Sequence, residues 1–244
     1  MADFYGADLS HIHHVGFGDF AIRSADGLLG VLREAGFHSG LVVDLGCGSG
    51  LLARQLIEAG YDVVGVDISP AMLEIAAATA PGARFVRASV YEFVFPPCVG
   101  ITAIGEVLCY LATEAAEADL APLFQRVYQA LRPDGLFIFD VLLRSEWEPM
   151  RYRASREGEG WRVDVEVVED PDRSLLTRRI STIREWEGGP RRSEEEHLVR
   201  TFSADELEQL LQSSGFEVRR QDHYGGVPLP PQRMAFIATK RGSA

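Results

Sequence analysis

From Leu41 to Asp140 short apolar runs alternate with stretches of helical spacing. LVVDL (41–45) is continuous and short, the pattern of a strand buried on both faces. LLARQLIEAG (51–60) places Leu52, Leu56 and Ile57 on one helical face and stops at Gly60. YDVVGVD (61–67) is a second strand, and SPAMLEIAAATAPG (69–82) opens a helix with Ser69 as N-cap and Pro70 in the first turn. ARFVRAS (83–89), ITAIGE (101–106) and GLFIFDV (135–141) are three further strands. A helix over roughly 115–131 lies between the last two and ends at Arg132-Pro133-Asp134-Gly135, because proline cannot continue it. Strand–helix alternation of this kind implies right-handed crossovers and a parallel sheet covered on both faces.

Beyond Val141 the period changes. WRVDVEVVED (161–170) sets Val163, Val165 and Val167 against charged neighbours, a strand with one wet face. DPDR (170–173) and EGGP (187–190) are turn-rich and flank LLTRRISTIREW (175–186), and EEEHLVRTF (194–202) follows. Three long strands joined by tight turns predict an antiparallel sheet inserted between about 145 and 202. SADE (203–206) is a capping box with Glu206 at its third helical position, opening a helix to Gly215. FEVRRQDHYG (216–225) and RMAFIATKR (233–241) have no helix between them, so they close the sheet as an antiparallel pair.

The composition narrows the partners. Lys and Arg total 24 against 36 Asp and Glu, a formal charge of -12. A broad nucleic-acid surface needs clustered cations, and Arg191-Arg192 is followed at once by Glu194, Glu195 and Glu196. Cys47, Cys98 and Cys109 are far apart, with no zinc-finger spacing, and His11 and His14 lack a third ligand nearby, so no metal is expected. The N-terminus has neither a basic nor an apolar leader pattern, and no apolar run approaches the length of a membrane span. The expectation is a cytoplasmic protein with no membrane partner.

VVDLGCGSG (42–50) puts Gly46, Gly48 and Gly50 at alternate positions behind a strand and an acid. Such a loop brings backbone N–H groups and a helix N-terminus against a ligand. A P-loop is excluded, since Gly50 is followed by Leu51-Leu52 rather than a lysine. Counted from Gly48, GSGLLA satisfies a dinucleotide pattern, which leaves an NAD-dependent oxidoreductase as an alternative. Asp44, two residues before Gly46, would oppose a pyrophosphate but suits an ammonium or a sulfonium. Asp67 closes the second strand, where an acid can accept both hydroxyls of a ribose.

Together, VVDLGCGSG, VVGVDISPAML (63–73) and LRPDGLFIFDV (131–141) resemble the class I S-adenosylmethionine-dependent methyltransferases over residues 41–142, and more weakly after 203. The resemblance implies an α/β fold, Rossmann-like and doubly wound. Its seven-stranded sheet would be mostly parallel with an antiparallel last strand, beside a small inserted antiparallel β-sheet. It implies an N-terminal helical cap over 1–40, a cofactor-binding domain over 41–144 and 203–244, and an insertion over 145–202 serving as lid or dimer contact. S-adenosyl-L-methionine is the implied cofactor. Asp44 and Gly46 would meet its methionine end, Gly48 and Gly50 would make the turn, and Asp67 would hold the ribose. Ile68 and Met72 would line the adenine, and Ser89 and Val90 would lie by its amino group, although many relatives carry an acid where Ser89 stands. Gly105 and Glu106 would face the methionine part through their backbone.

Methyl transfer is an in-line displacement, and holding the acceptor in line in a dry site supplies most of what an enzyme can add. A base is needed only for an acceptor that is protonated at working pH. Asn/Asp-Pro-Pro-Tyr/Phe, which marks adenine and glutamine amino-methyltransferases, is replaced here by Gly105-Glu106-Val107-Leu108. Pro97-Cys98 precedes the fourth strand, so it does not match the nucleophile of cytosine-C5 enzymes. The expected acceptor is the nitrogen or oxygen of a small molecule. Glu106, His14 and Tyr110 are the candidate acceptor-site residues, with His14 a base at neutral pH and Tyr5 a residue that could close over the cofactor. The architecture of the insertion is similar to the sheet over the active site of several small-molecule N-methyltransferases, amino-sugar enzymes among them. Its strand edges could also pair two copies in a homodimer or, in the alternative of a non-catalytic cofactor-binding module, dock a protein.

Overall fold

A computed structural model describes residues 4–111, 119–146 and 148–242. Its strands are β1 (Gly40–Leu45), β2 (Tyr61–Asp67), β3 (Arg84–Arg87), β4 (Cys98–Ala103), β5 (Tyr110–Leu111), β6 (Leu131–Leu142) and β7 (Arg151–Gly158). They continue as β8 (Trp161–Asp170), β9 (Leu175–Arg184), β10 (Arg191–Arg200), β11 (Phe216–Gln221), β12 (His223–Tyr224), β13 (Val227–Pro228) and β14 (Arg233–Lys240). The α-helices are α1 (Ala7–Phe17), α2 (Asp19–Glu34), α3 (Leu51–Glu58), α4 (Pro70–Thr79), α5 (Leu120–Ala130) and α6 (Ala204–Ser213).

Seven strands form the main sheet in the order β11-β14-β6-β4-β1-β2-β3. The pairs β1–β2, β1–β4, β2–β3 and β4–β6 are parallel, while β14 is antiparallel to both β6 and β11. The apolar runs foretold this interior: every residue of β4 is buried, as are the last four of β1. One face packs Phe124, Val127, Phe137, Phe139 and Phe236, and the other packs Leu28, Leu32, Leu52 and Leu56. The chain runs outward through β1, β2 and β3 and then returns to the other side of β1 with β4, so the strand order reverses between β1 and β4. Ligands of open α/β sheets bind outside the carboxyl ends of the strands at such a switch.

α5 ends within one residue of the expected Leu131, although not at a proline turn. Its expected start near Ala115 lies outside the described residues, and Asp119 caps it by accepting from Ala121 N. Leu131 already pairs with Cys98 as strand, and the register shifts between Cys98 and Gly100. Asp134 takes up a positive φ of 63° in that irregular start, so the proline turn is absorbed into β6 rather than closing a helix.

The insertion forms its own antiparallel sheet in the order β5-β10-β9-β8-β7. It has four long strands, not three. β7 escaped the sequence pattern because all eight of its residues are exposed on this edge strand, which removes the apolar alternation. α1 packs on the sheet through Leu9 and Ile12 against Val163 and Ile180. Buried Asp8 adds ion pairs to Arg184 at 3.5 Å and to Arg191.

Candidate functional site

The strand-to-helix loop after β1 turns back under α4. Gly48 has φ 51° and its N–H donates to Asp67 Oδ2 at 2.9 Å. Gly50 has φ 77°, and a Cβ there would come within 3.0 Å of the Ala76 backbone. Both positions therefore exclude ordinary side chains, one by conformation and the other by conformation and space. Asp67 Oδ1 accepts from Ser69 N at 2.8 Å. Each Asp67 oxygen thus holds one backbone N–H, which fixes the carboxylate and leaves each oxygen a lone pair for a ligand hydroxyl. Burial raises the Asp67 pKa, and the N–H groups of Ser69, Gly48 and Ile68 oppose that shift.

Beyond these strand ends lies a cavity of about 410 Å³. Asp44, Gly46, Gly48, Asp67, Ile68, Met72, Gly105, Glu106 and Tyr110 all line it. Four sequence candidates do not. Gly50 packs against α4 instead. Ser89 is used within its own turn, its Oγ accepting from Tyr91 N and its carbonyl from Glu92 N and Phe93 N, and Val90 packs against the apolar core. His14 stands behind the wall with Nδ1 2.9 Å from Ser49 Oγ, and its neighbour His13 reaches the cavity in its place.

Asp44 offers the sharpest chemical clue. Oδ1 accepts from Thr102 Oγ1 at 2.7 Å, while Oδ2 is buried without a hydrogen-bond partner among the described residues. A buried acceptor is costly to leave unmade, so the arrangement is completed by a donor arriving with a ligand. Burial pushes the carboxyl up to about 7, Thr102 lowers it, and Asp67 adds to the rise. A cationic ammonium placed at Oδ2 would restore the carboxylate. These groups fit the amino-acid end of S-adenosylmethionine and not a diphosphate.

On the far side of the cavity Glu106, 1% exposed, is gripped by two guanidinium groups. Arg178 from β9 donates to Oε2 at 2.7 Å, and Arg233 at the start of β14 pairs with Oε1. Glu106 therefore lines the cavity as a clamped ion, with a guanidinium on each carboxylate oxygen. Asp140 supports the turn from beneath, accepting from Gly105 N at 2.8 Å, Glu106 N at 3.1 Å and Tyr224 OH at 3.0 Å. Those bonds hold Glu106 at a positive φ of 64°. Nothing in the local sequence marks either residue: Arg178 is one of three arginines in β9, and Arg233 stands at the edge of the apolar strand β14.

Tyr110 OH lies 3.0 Å from Tyr5 OH and 3.4 Å from Arg178 Nη1. Burial raises the pKa of both phenols, so both stay protonated hydroxyls. Tyr5 is pinned in turn: its N–H and that of Gly6 donate to Glu195 at 2.8 and 2.9 Å, and its carbonyl accepts from Ser69 Oγ at 2.7 Å. His13 packs edge-on to Tyr5, and burial followed by the nearby His14 pushes its imidazole down to about 4. This side of the cavity thus carries neutral hydroxyls, a neutral imidazole and guanidinium groups rather than a free carboxylate.

Residues 20–221 match the family model described as "Methyltransferase domain". The chain belongs to the methyltransferase domain family. A Bacillus subtilis (strain 168) protein named putative methyltransferase YqeM is 27% identical over 200 residues, covering 75% of this chain and 76% of that protein. The dTDP-3-amino-3,6-dideoxy-alpha-D-glucopyranose N,N-dimethyltransferase of Streptomyces fradiae is 24% identical over 242 residues, covering 89% of this chain and 87% of that one. The sugar N-methyltransferase KedS8 from Streptoalloteichus sp ATCC 53650 shares the fold, with a TM-score of 0.79 at 20% identity and coverage of 99% and 98%. The methyltransferase fold accounts for both the mostly parallel sheet and the added antiparallel one.

This methyltransferase uses S-adenosylmethionine, which supplies a methyl carbon activated by positive sulfur. The family match goes against the oxidoreductase alternative, and the buried Asp44 carboxyl beside the glycine loop agrees with it. The lining of the cavity supplies enclosure and fixed dipoles, which suits a displacement that needs alignment more than acid–base catalysis. Among the described residues no helix is long and apolar enough to cross a membrane.

Proposed function

We propose that this methyltransferase acts on a nitrogen or oxygen of a small polar metabolite of amino-sugar size. The observation that carries the reading is the roof over the cavity. Arg178 of the inserted sheet reaches Glu106 and Tyr110, and Glu195 of the same sheet holds the backbone of Tyr5 and Gly6. A cavity of about 410 Å³ roofed in this way is in the range of small-ligand sites, which favours a small acceptor over a polymer strand or a folded protein surface. The acidic balance, 36 against 24, points the same way.

In this reading Asp44 and Gly46 meet the methionine end, Asp67 holds the ribose, and Ile68 and Met72 line the adenine. Gly105 presents its backbone to the methionine part. Tyr5, Tyr110 and His13 surround the acceptor, with Arg178 and Arg233 behind them. The N-terminal helical segment and the 145–202 insertion together form the lid. Named activities of two relatives, on a dTDP-linked amino sugar and on a sugar nitrogen, support the size and polarity of the acceptor.

The test is release of S-adenosylhomocysteine from S-adenosylmethionine across a panel of nucleotide-linked amino sugars, free amines and hydroxylated metabolites. Turnover on a small member is the expected result. Methylation of RNA or protein substrates with none in the small-molecule panel would overturn the proposal.

A further inference from the structure

The geometry points to a further role for His14: acting through Ser49, it holds the carboxylate at the amino-acid end of the cofactor. This rests on the S-adenosylmethionine reading of the cavity and concerns only that end of it.

Ser49 lines the cavity and is 4% exposed, whereas His14, in the last turn of α1, stands behind it. Between Nδ1 and Oγ, 2.9 Å apart, there is one serine proton to place. If Nδ1 accepts that proton, Oγ offers the cavity only lone pairs. If Nδ1 carries its own proton and donates it, the serine O–H is free to donate inward. The imidazole therefore decides whether Ser49 presents an acceptor or a donor.

The rest of the cavity decides between the two. Asp44 Oδ2, buried and unpartnered, is already an acceptor suited to an ammonium. In an amino acid the carboxylate is attached to the carbon that bears the ammonium, so both groups occupy the same end of the cavity. Asp44 and Ser49 bracket one short loop, and no lysine or arginine lies between them. The two guanidinium groups that line the cavity are engaged with Glu106. A second lone-pair donor at Ser49 would repel the carboxylate, and an O–H would bind it. α3 starts at Leu51 with Gly50 as N-cap and no side chain capping its first turn, which adds backbone N–H groups beside Ser49.

In the resulting chain of bonds His14 Nδ1–H donates to Ser49 Oγ, and Ser49 O–H donates to the carboxylate. Ser49 touches the cofactor, and His14 is a positioning residue that also ties α1 to the loaded site.

Calorimetric titration with two ligands tests this without knowledge of the acceptor. One is S-adenosylhomocysteine; the other is its decarboxylated analogue, which keeps the nucleoside, the thioether and the amine. His14→Ala and Ser49→Ala are each expected to weaken S-adenosylhomocysteine about tenfold while changing the analogue by less than about twofold. His14→Asn, which retains a donor at similar reach, should restore most of the loss. Equal weakening of both ligands would overturn the inference, because it would mean that the pair only supports the loop. Unchanged affinity for both would overturn it as well. Binding of the analogue reports that a variant is folded, and should His14→Ala fail to fold, Ser49→Ala decides. Wild-type protein that binds neither ligand would instead overturn the cofactor reading beneath the inference.

Discussion

Arg178 Nη2 on the inserted sheet lies 2.7 Å from Glu106 Oε2 at the end of β4, and this ion pair fastens the roof of the cavity to its floor. Glu106 is 1% exposed and Arg178 is 18% exposed, so the pair is shielded from salt and solvent in a way that surface pairs are not. Removing one partner of such a pair leaves a charge buried with less than its full compensation.

Arg178→Ala should therefore lower stability by about 2–3 kcal/mol, less than the loss of a lone buried pair because Arg233 remains on Glu106. Arg153→Ala provides the contrast: Arg153 pairs with Glu166 at the same 2.7 Å distance but is 81% exposed, and its loss should cost under about 1 kcal/mol. Urea unfolding of the two variants measures both values. Similar losses would show that Arg178 is not part of a buried clamp.

Asp67→Ala should weaken S-adenosylhomocysteine by at least about tenfold, through loss of charge-assisted hydrogen bonds to the ribose. The same change frees the N–H groups of Gly48 and Ser69, so a drop in Tm without ligand should accompany it. Calorimetry with 2′-deoxy and 3′-deoxy analogues separates the two effects: each deoxy analogue should bind wild type weakly and the variant no worse than the parent ligand does.

The pH dependence of cofactor binding should carry the signature of Asp44. Its carboxyl is raised from 3.8 to about 7 in the folded protein. Between those values the folded protein holds a proton that the unfolded chain has released, so the contribution of Asp44 to stability falls as pH rises through that window and is constant above it. An ammonium ligand needs the carboxylate. Affinity for S-adenosylhomocysteine should accordingly rise as pH approaches about 7 from below and level off beyond it, and Asp44→Asn should flatten the rise. A profile identical in the two proteins would remove Asp44 from the site.

Gly50→Ala should destabilise by about 1–3 kcal/mol, because φ is 77° and the added methyl would sit 3.0 Å from the Ala76 Cα and 3.1 Å from its Cβ. Gly60→Ala, at φ 94° with open space around it, isolates the conformational part of that cost. Thermal unfolding of both variants makes the comparison, and a smaller loss at Gly50 would contradict the close packing of the loop on α4.

Much of the main sheet was legible before any coordinates. The central residues of LVVDL, YDVVGVD and GLFIFDV are buried, and a strand covered on both faces is mainly apolar, so its composition announces it. Ser69 was legible as an N-cap because the need of a helix for a side-chain acceptor is local; its Oγ accepts from Met72 N at 3.1 Å. β7 was illegible because an exposed edge strand has no apolar face to reveal its period. Ser89 and Val90 show the limit of alignment by motif: the turn that follows β3 spends its hydrogen bonds on itself and carries both residues away from the cavity lining.

Local pattern along the chain is enough for the alternation of strands and helices, the glycine loop with its acids at Asp44 and Asp67, and hence the family. Those features are contiguous in the chain, and each is set by backbone needs within a few residues. Long-range packing sets the rest: Glu106 is clamped, His13 and not His14 reaches the cavity, and Arg178 and Arg233 meet there. Those outcomes depend on side chains far apart along the chain, 72 positions between Glu106 and Arg178 and 35 between His14 and Ser49. Such distant groups come together only when two sheets and a helix close on one another, and no local pattern records which of many similar arginines will be there.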